Sequence, residues 1–378
     1  MDELNTKILY LVSEDQSFCT HRLDLAKAAK KSGYEVVVVT KVTQYEDEII
    51  SNGFKLINLN LSRSASRPLR DFFTLLKLIQ IYKKEKPDIV HHVTLKVVLL
   101  GTIATLFSGK IVSINAFTGL GFVFSSSQIK AKIIRLLIRP VLKALLRRKN
   151  AWMIFQNPDD LELFNNLGLI EPDRSVIIRG SGVDINEFEQ TPDVNNIPVI
   201  MLASRMLWDK GVGEFVNAAK RAHEENLKAK FIIVGDIDKD NPMSISVSTL
   251  KKWTDEGYIT WDGHSNNMSE KLSSASVVCL PSYREGLPKV LLEGAAIGRP
   301  LIATDVPGCR EIIINNVNGI LVKLKDVDSL YNAIKVLVSN SEMRFRMGQE
   351  SRALIETKLS ANIINTQTLD LYKTAINK

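Results

Sequence analysis

A regular alternation of apolar strand-like runs with helical runs, carried through twice and interrupted once, constrains this chain more than any other feature. Strands are expected at Lys7–Ser13, Glu35–Thr40, Lys55–Leu59, Asp88–His92, Lys110–Ala116 and Ala151–Phe155, with helical stretches between them. The runs are continuously apolar, as in strands covered on both faces. Around Gly180-Ser-Gly-Val-Asp184 the rhythm stops, and the Pro- and Gly-punctuated stretch to Pro198 reads as a linker. It restarts at Val199–Ala203 and runs through strands near Lys230–Val234, Ile259–Trp261, Val277–Leu280, Leu301–Ala303 and Ile320–Val322 before three closing helices. The expected class is α/β: two doubly wound, Rossmann-like domains whose strand carboxyl ends face across a cleft.

A length of 378 residues suits two such domains, and 45 % apolar with 24 % charged content is that of a globular protein. Three scattered cysteines (Cys19, Cys279, Cys309) argue against a disulfide framework and for a reducing compartment. The acidic start leading into a strand is not a secretory leader, and the uncharged stretch 97–109 is too short to span a bilayer.

The basic excess concentrates in residues 128–150, with eight Lys or Arg and no acidic residue. Lys132, Arg135, Arg139, Lys143 and Arg147 recur at helical spacing among Ile, Leu and Val. This reads either as an interfacial helix on an anionic membrane surface or as a core helix with a solvated basic edge. Without interleaved aromatic residues it does not read as a nucleic-acid site.

The richest motif is Glu285-Gly-Leu-Pro-Lys-Val-Leu-Leu-Glu293, which follows the strand ending in Val277-Val-Cys-Leu280. Gly286 allows a sharp bend and Pro288 suits a helix start, so helix amides emerge at the sheet's carboxyl edge where a diphosphate would bind. Glu285 in the loop and Glu293 in the helix suit acceptance of hydrogen bonds from sugar or ribose hydroxyls. Arg205 and Lys210 follow the first strand of the second domain and would neutralise the diphosphate. The dinucleotide fingerprint and the P-loop are both missing, which argues against a nicotinamide enzyme and a P-loop kinase. Asp236, Asp238 and Asp240 lack the turn glycine and closing glutamate of a calcium loop and read as a solvated loop tip. In the first half, His91 and His92 end a strand with Lys96 four residues on, and His21 and Arg22 begin a helix. Each is structural or meets an acceptor or phosphate, with His92 the candidate catalytic group. Asn115, Gly119 and Gly121 either shape the acceptor side or form a turn.

Together, Arg205, Lys210-Gly211, Gly235 and Pro281-Ser-x-x-Glu285-Gly-x-Pro-x-x-x-x-Glu293 resemble the donor-site signature of retaining glycosyltransferases of family 4, which have the GT-B fold. Phe18-Cys-Thr-His-Arg-Leu, Asp88-Ile-Val-His-His-Val-Thr-Leu-Lys, Asn115-Ala-Phe-Thr-Gly-Leu-Gly and Gly180-Ser-Gly-Val-Asp184 are similar to members that build bacterial surface polysaccharides on undecaprenyl diphosphate.

The resemblance implies residues 1–182 as an acceptor-binding, membrane-associating domain and 183–360 as a nucleotide-sugar domain, with 361–378 packing back on the first. It implies that Arg205 and Lys210 hold the donor diphosphate, Glu293 the ribose and Glu285 a sugar hydroxyl. Gly286, Leu287, Pro288 and Lys289 would supply the helix terminus, and Gly235 and His264 would flank the base. It further implies a UDP-linked hexose or N-acetylhexosamine donor, no metal, a polyprenyl-diphosphate-linked acceptor and a peripheral place on the inner face of the plasma membrane. The alternatives are a nucleotide-sugar 2-epimerase of the same architecture and a non-catalytic glycan- or lipid-binding scaffold. A glycine-rich loop usual after the family's first strand is replaced by Ser13-Glu-Asp-Gln-Ser.

Overall fold

The computed structural model describes residues 6–61, 68–119, 124, 129–239 and 241–378, without the side chains of 68 and 129–132. The chain forms two compact units, one of residues 1–181 with 364–378, the other of residues 182–363.

The first unit is built on seven strands: β1 (Lys7–Glu14), β2 (Glu35–Lys41), β3 (Lys55–Asn58), β4 (Ile89–Val93), β5 (Val112–Phe117), β6 (Ala151–Phe155) and β7 (Ser175–Ile177). Their order is β3-β2-β1-β4-β5-β6-β7, all parallel. Such a sheet needs helices on both faces, because alternate side chains of each strand point opposite ways and most of them are apolar. Tyr10 joins one buried cluster with Phe18, Ile89 and Tyr372, while Leu9 joins another with Val37, Leu78 and Tyr82. The helices are α1 (Asp15–Lys31), α2 (Glu46–Ser51), α3 (Pro68–Glu85), α4 (Leu95–Thr105), α5 (Ile129–Leu146) and α6 (Pro158–Asn166). Strand β7 was not expected; its three residues are only half-buried, so they give no continuous apolar run.

The second unit has β8 (Val199–Ala203), β9 (Lys230–Val234), β10 (Thr260–Trp261), β11 (Val277–Leu280), β12 (Leu301–Thr304) and β13 (Gly319–Val322), parallel in the order β10-β9-β8-β11-β12-β13. Its helices are α7 (Val212–Glu224), α8 (Val247–Asp255), α9 (Met268–Ser273), α10 (Lys289–Ala296), α11 (Pro307–Arg310), α12 (Val327–Ser339) and α13 (Ser341–Leu354). After a π-helical turn at Ile355–Leu359, α14 (Ala361–Asn377) carries the chain back to the first unit. Each sheet winds outward both ways from a central strand. The winding therefore reverses between β1 and β4 in one unit and between β8 and β11 in the other.

The stretch read as a linker is packed against the second unit. Phe188 is buried, and the Arg299 guanidinium donates to Thr191 O at 2.6 Å, Thr191 Oγ1 at 2.8 Å and Ser273 O at 2.8 Å. Asp193 accepts from Ser276 Oγ at 2.9 Å. Proline and acidic spacing concealed a segment held by side chains remote in sequence.

Candidate active site

Because the winding reverses between β8 and β11, the loops leaving these neighbouring strands splay apart above the sheet's carboxyl edge, the usual place for a ligand in an open α/β sheet. The first loop carries Arg205 and Lys210, the second Glu285. Backbone stitches hold them together: Tyr283 N donates to Asp209 O at 2.8 Å, and Ser282 Oγ to the same oxygen at 3.2 Å. Gly211 has φ +72°, and a Cβ there would lie 2.0 Å from Pro281 O, so only glycine allows this approach. The outcome is a contact of 2.5 Å between Lys210 Nζ and Glu285 Oε1, both largely buried.

Helix α10 starts four residues after Glu285. Pro288 is its N-cap, with φ −75° and ψ 117°, rather than its first helical residue. Four residues in, Glu293 is 7 % exposed and faces Lys289, whose Nζ lies 3.5 Å from Oε1. Burial pushes the Glu293 carboxyl above its ordinary pKa, and the Lys289 ammonium offsets this only in part. Gly286 abuts α11, where a Cβ on Gly308 would lie 2.4 Å from Gly286 O.

Strand β9 ends at Gly235, whose amide donates to Gly263 O at 2.6 Å and whose carbonyl accepts from Trp261 Nε1 at 3.0 Å. Its φ is +138°, and a Cβ would lie 1.8 Å from Ser204 O. Gly235 thus joins the loop bearing Arg205 to the one bearing His264. His264 is exposed, 3.5 Å from Asp236 Oδ2 and hydrogen-bonded to Asn266 at 3.0 Å. Asp238 pairs with Arg205 Nη1 at 2.6 Å; Asp240 lies outside the described residues. Among the described residues no group of three His, Cys, Asp or Glu could hold a metal ion.

The first unit corrects the histidine reading. Strand β4 extends through Val93, and His91 and His92 lie within it, buried on opposite faces. His92 Nε2 is 3.0 Å from Tyr82 Oη, and Nδ1 is 2.9 Å from Asn115 Oδ1. The ring packs against Gly101, where a Cβ would lie 2.3 Å from Nε2. Desolvation pulls the His92 pKa down to about 4, leaving it a neutral ring that donates to Asn115 and accepts from Tyr82. His92 is fully enclosed and cannot touch an acceptor: a structural histidine, not a catalytic one. Asn115 is likewise a buried member of β5 that also accepts from Thr102 Oγ1 at 3.0 Å, not a loop residue. Sequence spacing concealed both facts, because Tyr82 and Thr102 come from helices α3 and α4 on either side of the strand.

His91 contacts Tyr372 of α14 through Nδ1 at 2.5 Å and stacks on Tyr10. Lys96 is paired with Asp71 at 2.8 Å. His21 and Arg22 do not begin a helix but lie about two turns into α1, which starts at Asp15; Arg22 is buried, whereas His21 and Gly119 are not. Gly121 lies outside the described residues, as does the side chain of Lys132.

Helix α5 divides its basic residues. Arg147 pairs with Glu171 and Arg139 donates to Leu167 O at 2.9 Å, so these two brace the fold. Arg135 lies over Phe124. Leu142, Leu145 and Leu146 are buried, yet Leu136 and Leu137 are 73 % and 67 % exposed, with Ile133 and Val141 also exposed. Among the described residues no helix is long and apolar enough to cross a membrane.

Residues 7–157 match the family described as Glycosyl transferase 4-like, and residues 197–340 match Glycosyl transferases group 1. The N,N'-diacetylbacillosaminyl-diphospho-undecaprenol alpha-1,3-N-acetylgalactosaminyltransferase of Campylobacter jejuni is 27 % identical over 98 % of this chain and 99 % of its own. The UDP-Gal:alpha-D-GlcNAc-diphosphoundecaprenol alpha-1,3-galactosyltransferase of Escherichia coli is 30 % identical over 70 % of each chain. The solved Rickettsia africae glycosyltransferase superposes with a TM-score of 0.79 at 18 % identity, covering 99 % of each chain. Anabaena HepE, solved with UDP-glucose, superposes with a TM-score of 0.78 at 18 % identity, covering 97 % of this chain and 99 % of its own. With two doubly wound units of the GT-B class and a switch point lined by paired Lys210 and Glu285, the chain belongs to the group 1, family-4-like glycosyltransferases.

Proposed function

We propose that the enzyme moves a hexose or N-acetylhexosamine from a UDP-sugar, with retention of configuration and without a metal, onto a saccharide carried by a polyprenyl diphosphate. The observation that carries this reading is the Lys210–Glu285 contact above the β8/β11 switch point, with the buried carboxylate of Glu293 in the helix that follows Glu285. The Escherichia coli relative takes its galactose from a UDP-sugar, and both it and the Campylobacter relative are named for diphosphoundecaprenol-linked acceptors.

In this reading Arg205 and Lys210 hold the donor diphosphate, and the amides opening α10 add their dipole. Negative charge grows on the leaving phosphate as the glycosidic bond breaks, and cations fixed beside it lower that barrier. Their charge takes the part a divalent ion plays elsewhere, so no metal is required. Glu293 accepts the ribose hydroxyls, and Glu285 accepts a sugar hydroxyl while positioning Lys210. The departing phosphate oxygen takes the proton of the acceptor hydroxyl, which then bonds to the anomeric carbon on the face the phosphate left.

In this reading the enzyme sits peripherally on the inner face of the plasma membrane, supported by the exposed Ile133, Leu136, Leu137 and Val141 of α5 beside Arg135 and Lys143, which suit an anionic bilayer surface. The test is transfer from UDP-, GDP- and dTDP-sugars to a synthetic prenyl-diphosphate saccharide, with and without EDTA. Transfer from a UDP-sugar that survives EDTA is expected. Turnover only with another nucleotide would overturn the donor assignment, and abolition by the chelator would overturn the metal-free reading.

A further inference from the structure

Away from the donor loops, the first unit holds a small polar cavity between α1, β4 and the start of α14. His21, Arg22, His91, Ser181, Asn365 and Thr368 line it with a few aliphatic residues. Its empty volume is about 270 Å³ including open solvent at its mouth, and the room it leaves between its walls is about that of one water molecule. It therefore admits the oxygens of a small group and not a sugar ring.

Two polar atoms at this cavity have no hydrogen-bond partner in the structure. Arg22 is 5 % exposed and His91 1 %, yet Arg22 Nε and His91 Nε2 are both unsatisfied. Arg22 uses Nη1 to donate to His21 O at 2.8 Å. Among the described residues, no carboxylate lines the cavity, and the charged or polar groups that perturb the guanidinium are Tyr372 and Tyr10. A buried guanidinium without a counter-ion is unfavourable, and a ligand anion offsets that cost. The Tyr372 hydroxyl lies 2.5 Å from His91 Nδ1 and 3.3 Å from the Tyr10 hydroxyl. Tyr372 donates to Tyr10 in the structure; when its hydrogen turns instead onto the shorter contact to His91 Nδ1, the neutral ring carries its proton on Nε2, at the lining of the cavity. A cation and a neutral donor then converge on one space with no acceptor assigned to them.

We propose that Arg22 and His91 form a binding site for one phosphate oxyanion, distinct from the donor-diphosphate loops. The group belongs either to the diphosphate of a prenyl-linked acceptor, an arm that rests on the acceptor class proposed above, or to free phosphate or pyrophosphate.

The test is calorimetric titration of inorganic pyrophosphate, and separately of geranyl diphosphate, into the full chain with UDP saturating the donor site. The wild type binds at least one of them with UDP in place. Arg22→Gln weakens that binding about tenfold or more, as expected for a lost charge-assisted hydrogen bond, while UDP affinity stays the same. Tighter binding of geranyl diphosphate than of pyrophosphate assigns the site to the lipid-linked acceptor; equal binding assigns it to the free anion. Should Arg22→Gln not fold, histidine-labelled wild type gives a second reading: pyrophosphate shifts the ring resonance that disappears in His91→Gln. Binding of neither anion, full affinity in Arg22→Gln, or an unmoved His91 resonance overturns the proposal. Failure of UDP itself to bind would count against the donor site and not against this one.

Discussion

Replacing Glu293 by Gln separates stability from function, because the two effects have opposite signs. The Glu293 carboxyl is 7 % exposed, and burial raises its pKa in the fold. The folded state therefore favours its protonated form. Stability from this group is fully present below the unfolded carboxyl pKa and is lost as pH rises through the raised folded one, so at neutral pH the ionised group weakens the fold. Glutamine keeps the shape and removes the charge, and Lys289, partly exposed on the same helix, turns to water. The variant should melt at the wild-type temperature or above it. UDP binding should move the other way. Losing charge-assisted hydrogen bonds to the ribose costs about 1.5–3 kcal/mol, or roughly 10–150-fold in Kd, with the lower part of that range expected because the amide oxygen still accepts. Calorimetry with UDP and a thermal melt provide both numbers. Wild-type UDP affinity should also fall with acidification at a pH above the ordinary carboxylate range, while the variant's profile loses that limb. Unchanged UDP affinity refutes the ribose assignment; a markedly lower melting temperature refutes the electrostatic account.

Lys210→Ala should lower turnover about 10²–10³-fold, as for other single contacts that stabilise a departing oxyanion, and turnover within a few-fold of wild type would remove Lys210 from the chemistry. His92, with its pKa pulled down to about 4, adds stability above the unfolded histidine pKa near 6.5 that is lost as pH falls toward 4, amounting to about 3 kcal/mol. Urea midpoints against pH should show that slope in the wild type and a shallower one in His92→Gln; equal slopes would contradict it. Leu136→Ser with Leu137→Ser should cut cosedimentation with anionic vesicles about tenfold or more, given the apolar surface removed. Unaltered cosedimentation would leave α5 a purely structural helix.

Apart from β7, the strands of both units were legible because a parallel strand covered on two faces is mostly apolar, as at Val36–Val39 and Val277–Leu280. The motif from Glu285 to Glu293 was legible because a loop with Gly and Pro at those places and two carboxylates has few structural uses. Partnerships made across distance were not. Nothing local to Pro87–His92 marks Tyr82 and Asn115 as closing around His92, or Tyr372, 281 residues away, as meeting His91. The same holds for Asp193, whose partners Ser276 and Arg344 turned an expected linker into part of the second unit. Arg22 stood out in the sequence only as a basic residue near a helix start. That it is buried without a carboxylate partner becomes visible only once α14 returns to the first unit.

The unequal burial of the two donor-site cations assigns them different work in the proposed reaction. Arg205 is more than half exposed and pairs with Asp238, whose side chain is also partly exposed. Such a pair contributes about 0–1 kcal/mol, so an arriving diphosphate displaces Asp238 at little cost. Lys210 and Glu285 are 21 % and 10 % exposed at their side chains, and their loops are joined through the backbone at Asp209 and Tyr283. Separating them would strand Glu285 in a poorly solvated place, which costs more than any surface pair. The diphosphate therefore recruits Arg205 by exchange and meets Lys210 with Glu285 still attached. In that arrangement the carboxylate fixes the ammonium for the charge that appears in the transition state, and Asp238 serves as the stand-in anion that keeps Arg205 soluble and in reach until the donor arrives. Asp238, beyond β9, is then explained by the cation it faces.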